Sequence, residues 1–255
     1  MVEDKNYTIA EDYELPSRGL IYSGKNVNPR VRLRSMTTRD EMKRLSHTET
    51  PYKTLAELIE SCMLEKPAVS VYDMALGDYE YLLHKLRIVT YGPDYKMTVG
   101  CPNCQELVDS KVNLDDLKTL DFDLDAFEEA STLTLPRSKK RITLRYQTPR
   151  MLDDIELAVK EYRRKNKNAE FDVSLLINLK YLIKTVEGQV LSFSELENFI
   201  NNLPAADSNY IMQKAADMNS MIGLDTEINV VCPKCGEDII TRFRFGPEFF
   251  RPSIS

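Results

Sequence analysis

The sequence predicts an α+β fold of two related, mostly helical halves, residues 1–130 and 131–255, each carrying a small β-hairpin. Three observations predict it. A CPxC motif occurs twice, at the same point of an internal repeat. A basic, strand-like segment stands near the start of each half, and apolar stripes of helical period fill the middle of each.

The first half begins with an extended arm, Leu15-Pro16-Ser17-Arg18-Gly19-Leu20-Ile21-Tyr22, and the second with Leu133-Thr134-Leu135-Pro136-Arg137. A basic strand follows in each, Arg30-Val31-Arg32-Leu33-Arg34 and Lys140-Arg141-Ile142-Thr143-Leu144-Arg145. Next come helix-start signals, a threonine with acids shortly after it: Thr37 with Asp40 and Glu41, and Thr148 with Asp153 and Asp154. Leu55, Leu58, Ile59, Cys62 and Met63 mark one amphipathic helix, and Leu175, Leu179, Leu182, Ile183 and Val186 mark its counterpart. A further helix before each cysteine pair carries Tyr79, Leu82, Leu83 and Leu86, matched by Ile211, Ala215, Met218 and Ile222. The second half adds a stripe of Met151, Ile155, Ala158, Val159 and Tyr162. Acidic residues 113–130 read as a connecting helix or linker, and Cys62 reads as a buried small hydrophobe.

The hairpins follow from the cysteines and their flanks. Gly92-x-Asp94-x-x-Met97-x-Val99-x-Cys101-Pro102-x-Cys104-x-Glu106 aligns without a gap on Gly223-x-Asp225-x-x-Ile228-x-Val230-x-Cys232-Pro233-x-Cys235-x-Glu237. Seven identical positions make chance a poor account of the match. Each pair lies between segments of period two, so each reads as strand, knuckle, strand. A redox CPxC pair needs a helix N-terminus after its first cysteine, and here a strand follows. Cys101, Cys104, Cys232 and Cys235 are therefore expected to hold one structural zinc ion, ahead of an iron–sulfur or vacant site. The alternative arrangement is two half-sites, each completed by another chain or left empty. About 127 residues separate the pairs, yet closing so long a loop costs only about 2 kcal/mol more than closing 15 residues. Structural zinc supplies roughly 10 kcal/mol in small peptides, so the separation is no obstacle.

Composition narrows the function classes. The 255 residues are 42% apolar and 29% charged, which suits a globular protein with a real core. A net charge of −6 weighs against a broad phosphate-neutralising face. No apolar run is long enough to span a membrane, and the N-terminus does not read as a signal peptide, so folding in the cytosol with reduced thiols is expected. No GxSxG, phosphate-binding glycine loop or HExxH occurs, and neither His47 nor His84 lies near a cysteine pair. The adjacent acids Asp115-Asp116, Glu128-Glu129 and Asp153-Asp154 are expected on solvated helix faces rather than in acid–base work. No enzymatic role and no small-molecule substrate is expected.

The segment Glu14-Leu15-Pro16-Ser17-Arg18-Gly19-Leu20-Ile21-Tyr22, with Val31-Arg32-Leu33 and Met36-Thr37-Thr38-Arg39-Asp40-Glu41, resembles the start of baseplate hub proteins of T-even-type contractile-tailed phages. The match is clear over residues 14–41. The resemblance implies a structural or assembly role in the tail baseplate hub, other baseplate or hub proteins as partners, and assembly in the host cytoplasm with the virion tail as destination. Aromatic and arginine enrichment at interfaces makes Phe245, Phe249, Phe250 and Arg251 in the C-terminal tail, and Tyr22 in the N-terminal arm, the candidate partner-binding residues. The competing reading is that the phenylalanines cover this chain's own core and that the arm is part of the first half. Two other function classes are an adaptor or regulator with a zinc ribbon that touches nucleic acid through Arg30, Arg32 and Arg34, and an enzyme of unfamiliar site.

Overall fold

Opposite charges set the first strand pairing. In the computed structural model, which describes residues 9–167, 172–243 and 247–250, β1 (Ala10–Glu14) runs antiparallel to β2 (Arg30–Arg34), with Asp12 facing Arg32 and Glu14 facing Arg30. A capping box of Thr37 and Asp40 starts α1 (Thr38–Arg44). Helix α2 (Pro51–Cys62) has proline at its start and buries Leu58, Ile59 and Cys62. Helix α3 (Leu76–Tyr91) is buried on nearly every side, so it runs through the interior. Gly92, at φ 82°, ends it and turns the chain into the hairpin β3 (Asp94–Gly100) and β4 (Leu107–Asn113). A short 3-10 turn (Leu114–Asp116) and α4 (Leu124–Ala130) make up the acidic connection.

The second half opens on β5 (Thr132–Thr134) and β6 (Arg141–Leu144), which form a three-stranded antiparallel sheet with β7 (Ile183–Val186). Between them lie α5 (Pro149–Lys165) and α6 (Ser174–Leu182), and after them α7 (Phe193–Asn201) and α8 (Ala205–Asn219). The last hairpin is β8 (Glu227–Val231) with β9 (Asp238–Arg242). The expected stripe from Leu175 to Val186 is thus not one helix. It stops at Leu182, and Ile183-Lys184-Thr185-Val186, rich in β-branched residues, pairs with β6 instead. Met63 and Ile222 likewise fall just past their helices. The sequence reading also missed α7, although Ser192 and Glu195 form a capping box there.

Asp153 corrects another expectation. It is fully buried, and accepts from the Lys53 amide at 2.9 Å, the Tyr52 amide at 3.4 Å and the Tyr72 hydroxyl at 2.9 Å. Those amides open α2, whose own N-cap Thr50 makes no side-chain bond to them. A carboxylate of the second half caps a helix of the first. Asp115, Asp116, Glu128 and Glu129 are exposed, as expected.

Similar bonds occur before and after residue 130. Leu33 bridges to Met63, and Leu144 pairs with Ile183, each just past a helix end. Asp78, at the third position of α3, accepts from the Ser17 amide after Leu15-Pro16, while Asp207, at the third position of α8, accepts from the Arg137 amide after Leu135-Pro136. Both of these carboxylates are buried. The first core surrounds Leu33, Leu58, Ile59, Leu82 and Leu86 and also takes in Ile228, Phe243, Phe249 and Phe250 from the far end of the chain. The second surrounds Leu135, Ile142, Leu179, Leu182 and Ile211.

His84 gives the first core a pH dependence. It is fully buried, lies parallel to the Phe249 ring at 6.5 Å, and its Nε2 is 3.0 Å from the Leu114 carbonyl. Burial first, and then the Lys85 charge, push its pKa down to about 4; the Leu114 carbonyl opposes them, and the Arg87 charge adds to the depression. In the unfolded chain the imidazole titrates near 6.5, so below that pH the unfolded state binds a proton that the folded state refuses. The stabilising difference is whole above pH 6.5 and is lost as pH falls toward 4. Between pH 7.5 and 5 folding free energy should drop by about 2 kcal/mol from this group. Urea unfolding at both pH values would check it: a His84→Gln chain should lose correspondingly less, and equal losses would show that another group is responsible.

Candidate metal centre

Each knuckle is built by the same backbone bonds. The Cys101 amide donates to the Glu106 carbonyl at 2.8 Å and the Gln105 amide to the Cys101 carbonyl at 3.0 Å. In the other hairpin the Cys232 amide donates to the Glu237 carbonyl at 2.8 Å and the Gly236 amide to the Cys232 carbonyl at 2.9 Å. The turn requires a left-handed residue after the second cysteine, at φ 59° for Gln105 and φ 75° for Gly236. Glycine adopts that backbone freely and glutamine does not. Gln105→Gly should therefore stabilise the first hairpin by about 1 kcal/mol and Gly236→Ala should destabilise the second by a similar amount. Thermal unfolding of the two variants should move in opposite directions, and a shared direction would contradict the strain.

Strand pairing then aims the knuckles at each other. Val99, Val108, Val230 and Ile239 point inward and form a small third core with Cys101 and Cys232. Above it Cys101 Sγ lies 3.6 Å from Cys235 Sγ, and Cys104 Sγ lies 3.7 Å from Cys232 Sγ. All four sulfurs lie within 4.8 Å of one another. A tetrahedron of thiolates at zinc–sulfur bond length has edges of about 3.8 Å, so the donor set fits such an ion. Lys234 reaches across from one knuckle to Glu106 of the other at 2.5 Å.

The thiols do not share charge evenly. The Cys235 amide and then the Lys234 amide pull the Cys232 thiol down to about 7, helped by bonds from Cys235 and Cys104. Cys104 has one favourable donor, the Glu106 amide, but desolvation and its bonds with the other three thiols push it up to about 12. Neighbouring thiolates repel, and a bound cation would offset that repulsion.

The four predicted cysteines are thus brought together, and the described members of the predicted partner-binding set lie in the first core. Tyr22 is buried, donating to Asp78 Oδ2 at 2.5 Å and accepting from the Ala75 amide at 3.0 Å. Burial holds the Asp78 carboxyl above its usual range, against the pull of its bonds from Ser17 and Tyr22. Phe249 and Phe250 are buried in the first core, where Phe249 packs edge-on to Phe243 at 5.4 Å. In the chain by itself these three side chains pack in the first core, as the competing reading has it. Phe245 and Arg251 lie outside the described residues. Of the basic strand, Arg30 and Arg32 are exposed, whereas Arg34 is turned onto Asp40 at 2.7 Å. Among the described residues no helix is long and apolar enough to cross a membrane. Sequence reasoning missed Asp78 and Asp207, whose signal was an acid at the same third helical position in each half.

Fold and site together define a class: an α+β protein whose two distant cysteine hairpins meet in one four-sulfur cluster. The chain belongs to the family described as T4 bacteriophage base plate protein, whose model matches residues 10–251. A role in the phage baseplate, in contact with other tail proteins, follows from that membership. No curated protein and no solved structure matches it.

Proposed function

We propose that this protein is a structural or assembly component of the baseplate hub, acting by protein–protein contact, and that one zinc ion on Cys101, Cys104, Cys232 and Cys235 clasps its two halves. The observation that carries the reading is the cluster of four sulfurs within 4.8 Å, drawn from hairpins whose nearest cysteines, Cys104 and Cys232, are 128 residues apart in the chain. The halves are read as related copies, each ending in a zinc knuckle. In-register cysteine repeats, matched knuckle bonds and the matched Asp78 and Asp207 contacts support this. Closing the four positions with thiolates leaves the ion no open site, which suits a clasp and not a catalyst. The protein is assembled in the host cytoplasm and acts in the tail baseplate.

Metal analysis of the chain purified without chelator should give about one zinc per chain and negligible iron. Affinity capture from infected cells should bring down hub intermediates. A zinc content near zero would remove the clasp, and capture without any tail protein would remove the hub assignment.

A further inference from the structure

One charged position breaks the correspondence between the halves. Arg34 and Arg145 each follow the leucine that bridges to a helix end, and each guanidinium caps that end. Arg34 Nη2 donates to the Ser61 carbonyl at 2.8 Å; Arg145 Nη1 donates to the Tyr181 carbonyl at 3.2 Å and the Ile183 carbonyl at 2.5 Å. Three residues later, Thr37 caps α1 and Thr148 caps α5. Three further on stand Asp40 and Met151. Asp40 neutralises Arg34 at 2.7 Å and also accepts from the Thr37 amide at 2.8 Å. Met151 can do neither. Among the described residues no carboxylate lies within ion-pair distance of Arg145, which has only carbonyl acceptors.

Space for the missing group is present. Two adjoining clefts, of about 480 Å³ and about 250 Å³, share Arg145, Met151 and Lys184 in their walls. The larger is otherwise lined mainly by apolar surface such as Ile21, Phe127 and Tyr146. Lys184 is exposed and makes no ion pair among the described residues, whereas nearby Lys180 is held by Glu197 at 2.7 Å. Glu128, on the wall of the larger cleft, is exposed and pairs with neither cation. Burial lowers the pKa of Arg145, while the bond to Asp40 raises that of Arg34. A half-buried cation without an anion is partly desolvated, and a charge-assisted bond to a carboxylate offsets that cost.

We propose that Arg145 and Lys184 receive an aspartate or glutamate side chain from a neighbouring baseplate protein, with an adjacent apolar residue of that partner seated in the larger cleft. The ligand chemistry is named by the chain itself, because the equivalent arginine of the first half holds a carboxylate. Only the source of the carboxylate rests on the baseplate reading; the site rests on the geometry.

The test titrates the full, metal-replete chain with acetyl-glutamyl-leucyl-leucinamide and with its glutaminyl analogue, following the Arg145 side-chain Nε–H resonance. The glutamyl peptide should bind about tenfold more tightly, the worth of one charge-assisted bond. Lys184→Glu, at an exposed position, should abolish that preference. Met151→Asp, which supplies the carboxylate internally as in the first half, should block the site. Equal binding of the two peptides, or a glutamyl preference that survives both substitutions, would overturn the proposal, as would displacement of the peptide by equimolar inorganic phosphate. Because the titration involves no assembly step, its failure is distinct from failure of the hub assignment.

Discussion

Replacing Cys232 by serine should abolish zinc retention and incorporation into baseplate assembly intermediates together. Serine at this position offers a hydroxyl in place of the thiol that the surrounding amides already draw toward the thiolate. The remaining three sulfurs cannot close a tetrahedron, and metal binding and folding are coupled in sites of this kind. The loss should spread beyond the knuckle. Cys232 is part of the third core, and β9 leads directly to Phe243, which with Phe249 and Phe250 completes the first core. Complementation scored by assembled baseplates, beside metal analysis of the same variant, checks both halves of the expectation. Normal assembly by a zinc-free chain would show the metal to be dispensable.

A comparable loss is expected from a single methyl group at Gly77. A Cβ there would lie 2.6 Å from the backbone carbonyl carbon of Ile222 and closer still to its oxygen. The obstructing atoms are main chain, so no rotamer change relieves them. Nor can the Ile222 segment retreat, since the Leu120 amide holds the Gly223 carbonyl at 3.0 Å and the Asp225 amide donates to Lys118 at 2.8 Å. Gly223 itself adopts φ +123° to make the passage. Gly77→Ala should cost about 3 kcal/mol, near the upper end for overpacking. At the corresponding position of α8 the chain carries Ala206, so the requirement is tertiary and not helical. Urea unfolding would measure it, and a loss below about 1 kcal/mol would mean the two segments do not approach so closely in solution.

What could be read from the sequence was local. The cysteine pairs were legible because each sits in a hairpin with identical spacing and period-two flanks, so register points both sulfurs of a pair the same way, and the single site was expected from the four-ligand demand of zinc. Helix starts at Thr37 and Thr148 were legible because capping depends on neighbours three residues away. Contacts across the chain were not. Nothing near Asp153 announces that it caps a helix 100 residues earlier, and nothing near Tyr22 announces Asp78. Phe249 and Phe250 carry the composition of an interface, but composition does not distinguish a partner's surface from the chain's own first core. The break after Leu182 was hidden for a related reason: Ile183 and Val186 keep helical spacing while their β-branched shape suits the vacant edge of β6.

The distance between the cysteine pairs also sets a clock. At ribosomal rates of 5–20 residues per second, the 128 residues from Cys104 to Cys232 take roughly 6–25 s to synthesise. For that interval the first pair stands as an open dithiol on a nascent chain, with its partners not yet made. An ion captured in that interval would be held by only two sulfurs, and the four-sulfur cluster can close only once Cys232 and Cys235 have been translated. Closure therefore waits on the second hairpin, and a chain truncated before Cys232 keeps an unclosed pair.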